Sequence, residues 1–305
     1  AAARGARPGP PAGMNRSTAR LPWGSVSYLA WGDDDAPAVV LLHGGGVDSA
    51  SLSWGDLGPR LAAGGYRVLA PDHPGYGHSP PAPWPPTQER LVTYVGEFVD
   101  ALGLDRYAIG GLSLGGGLTI GHVLERPERV TGAMLLASYG LTDRLSEGTL
   151  SALRQAGTWV MARTGLLALT TRWSGRNRRV MTALMPALIR DPARRPPELV
   201  DEVLAAARAE HAFDAWDFWQ RDQIRFGRLR TDYRDRLPRF PRPVLIVHGD
   251  RDASVPLAAA RAAAALIPDA RLEVVAGAAH WVQRDQPDVV AAAMLDFLRS
   301  VTAGA

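Results

Sequence analysis

The amino-acid sequence predicts an α/β fold, with a mostly parallel central sheet, helices on both of its faces, and an inserted helical cap. Short, unbroken apolar runs alternate with stretches of helical periodicity, and such runs are what strands need when helices cover both faces of their sheet. The alternation lapses over residues 140–239, which are rich in Arg, Trp and Leu and hold no strand pattern, and then resumes. A third observation is "GLSLG" at residues 111–115, which falls at one of the strand-to-helix junctions.

The first twenty residues, "AAARGARPGPPAGMNRSTAR", have no periodic apolar face and read as a disordered tail. They also lack the apolar core of a secretory signal. "SVSYLAW" (25–31) alternates like a half-buried strand, and "AVVLLHG" (38–44) reads as a fully buried one. "YRVLAPD" (66–72) is the next strand. Thr87 is placed to cap a helix through "QERLVTYVGEFVDALG", where Leu91, Val95, Phe98, Val99 and Leu102 recur at helical spacing. The strand "RYAIGGL" (106–112), the helix "LGGGLTIGHVLER" and the strand "VTGAMLLAS" (130–138) follow. Beyond the cap come the strand "PVLIVHGD" (243–250), the helix "LAAARAAAALI", the strand "RLEVVAG" (271–277) and a last helix from about Pro287 to Val301. The expected organisation is a tail over 1–20, a core divided between 21–139 and 240–305, and a cap over 140–239.

Composition narrows the function classes. With 305 residues the chain can bury a full core. All 34 of its basic residues are arginine, so neither a Schiff-base lysine nor the lysine of a phosphate-binding loop is open to it. Cysteine is absent, which excludes a disulfide framework and a thiol nucleophile and fits a reducing, cytoplasmic setting. No apolar run approaches the ~18 residues that span a bilayer, so no membrane partner is expected. The net charge of +3 hides a basic segment, because residues 140–239 carry 18 Arg against 12 acids. No recognition motif accompanies that charge, so nucleic acid is not an expected partner. The charge is compatible with an anionic small substrate or with plain surface bias. A small-molecule substrate, without metal or organic cofactor, is the expectation; the oligomeric state is not legible.

"GLSLG" fits G-x-S-x-G between a strand and a helix, the pattern of a nucleophile on a strained turn. Ser113 is the candidate nucleophile, with Gly111 and Gly115 supplying positions that have no Cβ to clash. A serine hydroxyl needs a base oriented by a carboxylate. Of the seven histidines, His280 follows a strand and so stands at the sheet edge where ligands bind. His122 falls within a helix, His211 within the cap and His248 within an apolar strand. "HGDRDASVP" offers Asp250 and Asp252, and Asp252 is favoured because it lies farther into the loop. "HGGG" (43–46) ends a buried strand with bare backbone N–H groups that could face an oxyanion together with the N–H of Leu114, while His43 reads as a brace for that loop. The cap aromatics Trp159, Trp173, Trp216, Trp219, Phe213, Phe218 and Phe226 are expected to be mostly core, with a few walling an apolar pocket.

On "LLHGGG", "APDHPGYGHS", "GGLSLGGG", "HGDRDASVP" and "AAHWVQRDQPDVV", the chain from about residue 21 onward resembles the α/β-hydrolase fold superfamily, in its serine-nucleophile, esterase- and lipase-like branch. The resemblance implies Asp252 as the acid of a Ser113–Asp252–His280 triad, and Gly45 as the oxyanion donor alongside Leu114. "HWVQ" together with "HGGG" also resembles the carbon–carbon bond hydrolases of aromatic meta-cleavage products. Those keep an aromatic residue after the histidine, which Trp281 matches, and an arginine near the substrate carboxylate. The expected function is hydrolysis of a small, largely apolar carboxylic ester through an acyl-enzyme. Carbon–carbon hydrolysis of a vinylogous diketone is the alternative, and a non-catalytic ligand-binding protein on the same scaffold is a third.

Overall fold

Alternation within the strands sets the layers. In β3 (Ala38–Leu42), Val39 and Leu41 enter one apolar cluster while Val40 and Leu42 enter another on the opposite face, and all four are fully buried. A strand buried on both sides reads as the unbroken apolar run seen in the sequence. The computed structural model describes residues 15–209 and 211–302. The other strands are β1 (Asn15–Leu21), β2 (Gly24–Trp31), β4 (Arg67–Pro71), β5 (Tyr107–Leu112), β6 (Val130–Leu136), β7 (Val244–Gly249) and β8 (Ala270–Val275). They form one sheet in the order β1-β2-β4-β3-β5-β6-β7-β8. β1 and β2, and β2 and β4, pair antiparallel; every later pair is parallel.

The helices before β6 are α1 (Ala50–Trp54), α2 (Leu57–Ala63), α3 (Gln88–Ala101) and α4 (Leu114–Glu125). Thr87 caps α3 as its sequence suggests, its hydroxyl accepting the Arg90 N–H at 3.3 Å. Between β6 and β7 the chain builds α5 (Ser151–Thr164), α6 (Leu166–Arg176), α7 (Arg178–Leu188), α8 (Pro197–Arg208) and α9 (Asp214–Gln223), with no strand among its described residues. After β7 come α10 (Leu257–Leu266), α11 (Val282–Asp285) and α12 (Pro287–Thr302). The mostly parallel sheet flanked by helices is the predicted architecture. No described helix is long and apolar enough to cross a membrane.

The tail expectation needs one correction. Residues 1–14 lie outside the described part, but residues 15–20 belong to β1, paired along its length with β2. An edge strand buries only part of one side, here Ala19 and Leu21, so polar Arg, Ser and Thr dominate its sequence and hide the alternation. Arg16 anchors it. Its guanidinium donates to the fully buried carboxylate of Asp72 at 2.7 Å and to the Ser27 hydroxyl at 2.9 Å. Asp72 also accepts the Ala50 and His78 backbone N–H groups, so it ties β1 to α1 and to the loop after β4.

Replacing Arg16 by Ala leaves a buried carboxylate short of its charged partner. We expect a loss of about 1–3 kcal/mol in urea denaturation at neutral pH; an unchanged midpoint would show that β1 docks without this ion pair.

Candidate active site

Ser113 sits between β5 and α4 with φ +51° and ψ −112°, one of three described non-glycine residues at positive φ. That conformation is strained for a residue with a Cβ. Two close approaches hold it. A Cβ on Gly111 would lie 2.2 Å from the Gly115 backbone, and one on Gly115 would lie 2.2 Å from the Leu42 carbonyl oxygen. Only glycine at both positions lets the turn close against β3. The Ser113 N–H donates to the Leu136 carbonyl at 2.9 Å, and its own carbonyl accepts from Gly117 and Tyr139. The turn is thereby fixed from β6 as well, and Leu114 begins a helix whose first N–H groups have no partner within it.

The loops after β7 and β8 bring Asp252 and His280 together. His280 Nδ1 lies 2.8 Å from Asp252 Oδ2, which places the ring proton on Nδ1 and leaves Nε2 as the basic nitrogen. The other carboxylate oxygen accepts the Ser254 and Val255 N–H groups at 2.7 and 3.1 Å. Burial pushes the Asp252 pKa up, but the His280 hydrogen bond and charge and those two N–H groups outweigh it and hold the carboxyl below its ordinary value. Asp250 is directed elsewhere, accepting the Gly277 N–H at 2.7 Å.

The other histidines of the core are structural. His248 is fully buried and donates from Nε2 to the Val255 carbonyl at 3.0 Å; burial lowers its pKa. His122 bonds the Tyr107 hydroxyl at 2.7 Å, with a pKa pushed down to about 4 by burial and by Arg126 and Arg129. His43 accepts the His73 N–H on Nε2 and donates from Nδ1 to the Gly44 carbonyl, and burial pushes its pKa down to about 3. It braces the glycine loop. His211 is exposed and pairs with Asp214.

A residue that the sequence reading passed over holds that loop from the other side. Asp48, fully buried, accepts the Gly44 N–H at 2.7 Å and the Ser49 N–H at 2.8 Å, with the Ser53 hydroxyl 2.8 and 3.0 Å from its two oxygens. Burial raises its pKa to about 7 against the pull of those bonds. Ser53 can turn its hydroxyl to accept from the protonated acid, so the neutral form stays satisfied. The only prior signal was an acid three residues beyond "HGG". Among the described residues the Gly45 N–H donates no hydrogen bond. A Cβ on Gly45 would lie 2.1 Å from the Trp216 ring, which presses this loop from α9.

Ser113, Leu114, Gly45, His280 and Trp281 all line one cavity of about 540 Å³, and Asp252 stands behind His280 with its side chain fully buried. The cavity floor is built by the loops at the C-terminal ends of β3, β5, β7 and β8, and its roof by residues of α6, α7, α8 and α9. Val47, Met181, Leu188 and Val203 make it apolar, with Phe213, Trp216 and Trp219 as its aromatic wall. Trp173, Phe218 and Phe226 are exposed instead of core, and Trp159 is half-buried. His280 is the one titratable side chain of His, Asp, Glu or Arg type in the lining among the described residues. The basic residues of 140–239 therefore do not supply a cation to the cavity, and the expected arginine beside a substrate carboxylate has no counterpart there. No described cluster of His, Asp and Glu could hold a metal.

The sequence family described as alpha/beta hydrolase fold matches residues 37–287. The chain belongs to that family. A 2-hydroxy-6-oxo-6-phenylhexa-2,4-dienoate hydrolase of Burkholderia cepacia is 29% identical over 284 residues, covering 86% of this chain and 87% of its own. Among solved structures, the 2-hydroxy-6-oxo-6-phenylhexa-2,4-dienoate hydrolase of Rhodococcus sp. strain RHA1 superposes with a TM-score of 0.73 at 23% identity, over 95% of this chain and 99% of that one. A carboxylesterase from Bacillus subtilis does so with a TM-score of 0.74 at 22% identity, over 95% and 93%. The likeness to the two structures is one of fold. The chain is a hydrolase by its family and relatives, and the hydrolases named among its curated relatives act on meta-cleavage-type dienoates and their kin rather than on esters, the reverse of the order expected from sequence.

Because the fold favours neutral Asp48, the stability this gives is fully present below the ordinary value of 3.8 and is lost as pH rises through about 7. Unfolding free energy should therefore decline from pH 4 to pH 7 relative to Asp48→Asn, by on the order of 4 kcal/mol. Urea titrations across that range check this, and a difference independent of pH would place the proton elsewhere.

Proposed function

We propose that the chain is a serine hydrolase in which Ser113 attacks a carbonyl carbon, His280 moves the proton and Asp252 orients the imidazole. The observation that carries this reading is the 2.8 Å contact of His280 Nδ1 with Asp252, in a cavity shared with a serine held at φ +51°. Ser113 Oγ gives its proton to His280 Nε2 as it bonds the carbonyl carbon. The oxygen becomes an oxyanion received by the N–H groups of Gly45 and Leu114, each worth ~3 kcal/mol in such a site. Collapse of the tetrahedral adduct breaks the scissile bond, and the leaving atom departs with the bonding pair and takes the proton from His280. Water, deprotonated by the same imidazole, then splits the acyl-enzyme and restores Ser113. No step needs a metal or an organic cofactor.

The relatives' names favour a carbon–carbon bond as the one broken. In that case the leaving atom is carbon, and its electron pair must be accepted by a conjugated carbonyl, as in a vinylogous diketone. A specific observation favours the ester as second reading: the cavity offers no arginine to a dienoate carboxylate, and an ester of an apolar acid needs none. The helical segment between β6 and β7 acts in either case as the cap that closes the cavity and selects the acyl group. The His280–Asp252 contact in a cavity that Ser113 also lines supports this reading over a non-catalytic binding protein.

Ser113→Ala should keep the fold, by circular dichroism and melting temperature, and lose about 10⁴-fold or more in turnover; unchanged activity would remove the assignment. Supplying aryl esters of graded chain length beside a dienoic meta-cleavage product, with a fluorophosphonate probe as a check on the serine, decides the bond. A kcat/KM preference of about 100-fold or more for the dienoate ends the ester reading, and the opposite preference ends the diketone one.

A further inference from the structure

The segment 148–190 contains seven arginines and no aspartate or glutamate. It folds into α5, α6 and α7, and the outward sides of the first two carry apolar side chains where a surface helix would place polar ones. Leu153 and Val160 stand two turns apart on α5, and Leu166, Leu169 and Trp173 follow at positions i, i+3 and i+7 on α6. Their exposures are high: 70% for Leu153, 64% for Leu169 and 58% for Trp173. Leu150, just before α5, and Leu184 on α7 extend the same property. Scattered exposed apolar residues are ordinary, but ten of the twelve large ones described here fall between residues 145 and 226.

Most of the arginines around these side chains have no acidic partner. Arg172 is matched by Asp214 and Asp217, and Arg178 by Asp201. Arg154, Arg163, Arg176 and Arg179 are exposed and have no carboxylate in ion-pair contact among the described residues; Arg163 lies only over the Trp159 ring. The nearest acids along the chain, Glu147 and Asp191, bound the segment on either side. α6 also joins this surface to the cavity, because Thr170, Thr171 and Ser174 line the cavity from the same helix, and the exposed Leu145 and Leu184 line its wall.

We propose that the outward face of α5 and α6 docks on an anionic lipid surface. The leucines and Trp173 enter the boundary between headgroups and acyl chains, and Arg154, Arg163, Arg176 and Arg179 meet the lipid phosphates, the arrangement of an interfacial amphipathic helix. The contact is peripheral and needs no spanning helix. It sets the wall of an apolar cavity next to a medium in which apolar substrates concentrate. A protein partner would also cover apolar side chains, but five exposed arginines without an acidic partner among the described residues, Arg190 being the fifth, and no acid over 43 residues fit a uniformly anionic surface better than a mixed-charge one.

Co-sedimentation of the full chain with vesicles tests this, using phosphatidylcholine alone and an equal mixture with phosphatidylglycerol. We expect binding to the mixed vesicles, little to phosphatidylcholine, and release at high salt. Leu153→Asp with Leu169→Asp should abolish binding, and Arg154→Glu with Arg163→Glu should weaken it by roughly fivefold or more per arginine. None of these four side chains lines the cavity, so hydrolysis of a dissolved short-chain substrate should stay unchanged and certify the fold of each variant. Absence of binding to the mixed vesicles, equal binding to both kinds, or binding unaffected by the leucine substitutions each overturns the proposal. So does a dimer in sedimentation velocity that the leucine substitutions dissolve while the vesicles stay unbound.

Discussion

The structure depends on one close approach. Gly115, in the first turn of α4, lies against the end of β3 so tightly that a Cβ would meet the Leu42 carbonyl oxygen at 2.2 Å, and Gly111 lies equally tightly against Gly115. These two contacts let β5 turn into α4 within a single residue, and the residue at the turn takes a positive φ. Hydrogen bonds from the neighbouring strand ends, Ser113 to Leu136 and Tyr139 to Ser113, spread the cost of that strain over three elements. The side chain at 113 is lifted off the sheet edge because the backbone has nowhere else to send it.

Electrostatics around the turn follow from burial. His43, His73, His122 and His248 are all pushed towards the neutral state by desolvation, and their ring nitrogens bond backbone or tyrosine groups. They work as rigid, uncharged cross-links. His280 differs in its neighbour: a carboxylate held below its ordinary pKa stands at its Nδ1. Asp48 shows the complementary case, a buried acid held towards neutrality beneath the loop that presents Gly45.

Much of this was legible in the sequence because it is written locally. Continuous apolar runs marked the strands, Thr87 marked the start of α3, and two glycines two residues either side of a serine marked the turn. β7 and β8 are followed by the loops that carry Asp252 and His280, so strand order brought the two loops together, and the position of Asp252 farther into its loop than Asp250 singled out the pair. What stayed hidden is set by distant partners. β1 looks like a polar tail because Arg16 is intelligible only beside Asp72. Asp48 is an ordinary loop acid until Gly44 and Ser53 close on it. The aromatics between β6 and β7 repeat at helical spacing whether they face the cavity, as Trp216 and Trp219 do, or solvent, as Trp173 does.

That last ambiguity explains why the family was easier to read than the substrate. The glycine contacts, the strand ends and the buried histidines belong to the sheet and its edge, where the family pattern is written. The cavity wall comes from α6 to α9, where an apolar side chain can be exchanged for another at little cost to the fold. A relative's dienoate carries a negative charge, and a buried site tolerates such a charge only with a partner. In this chain the arginines of the helical segment lie on its outside and the inner wall is neutral. The same segment therefore directs its charge away from the cavity, and similarity over more than four-fifths of the chain carries the hydrolase family further than it carries the identity of the substrate.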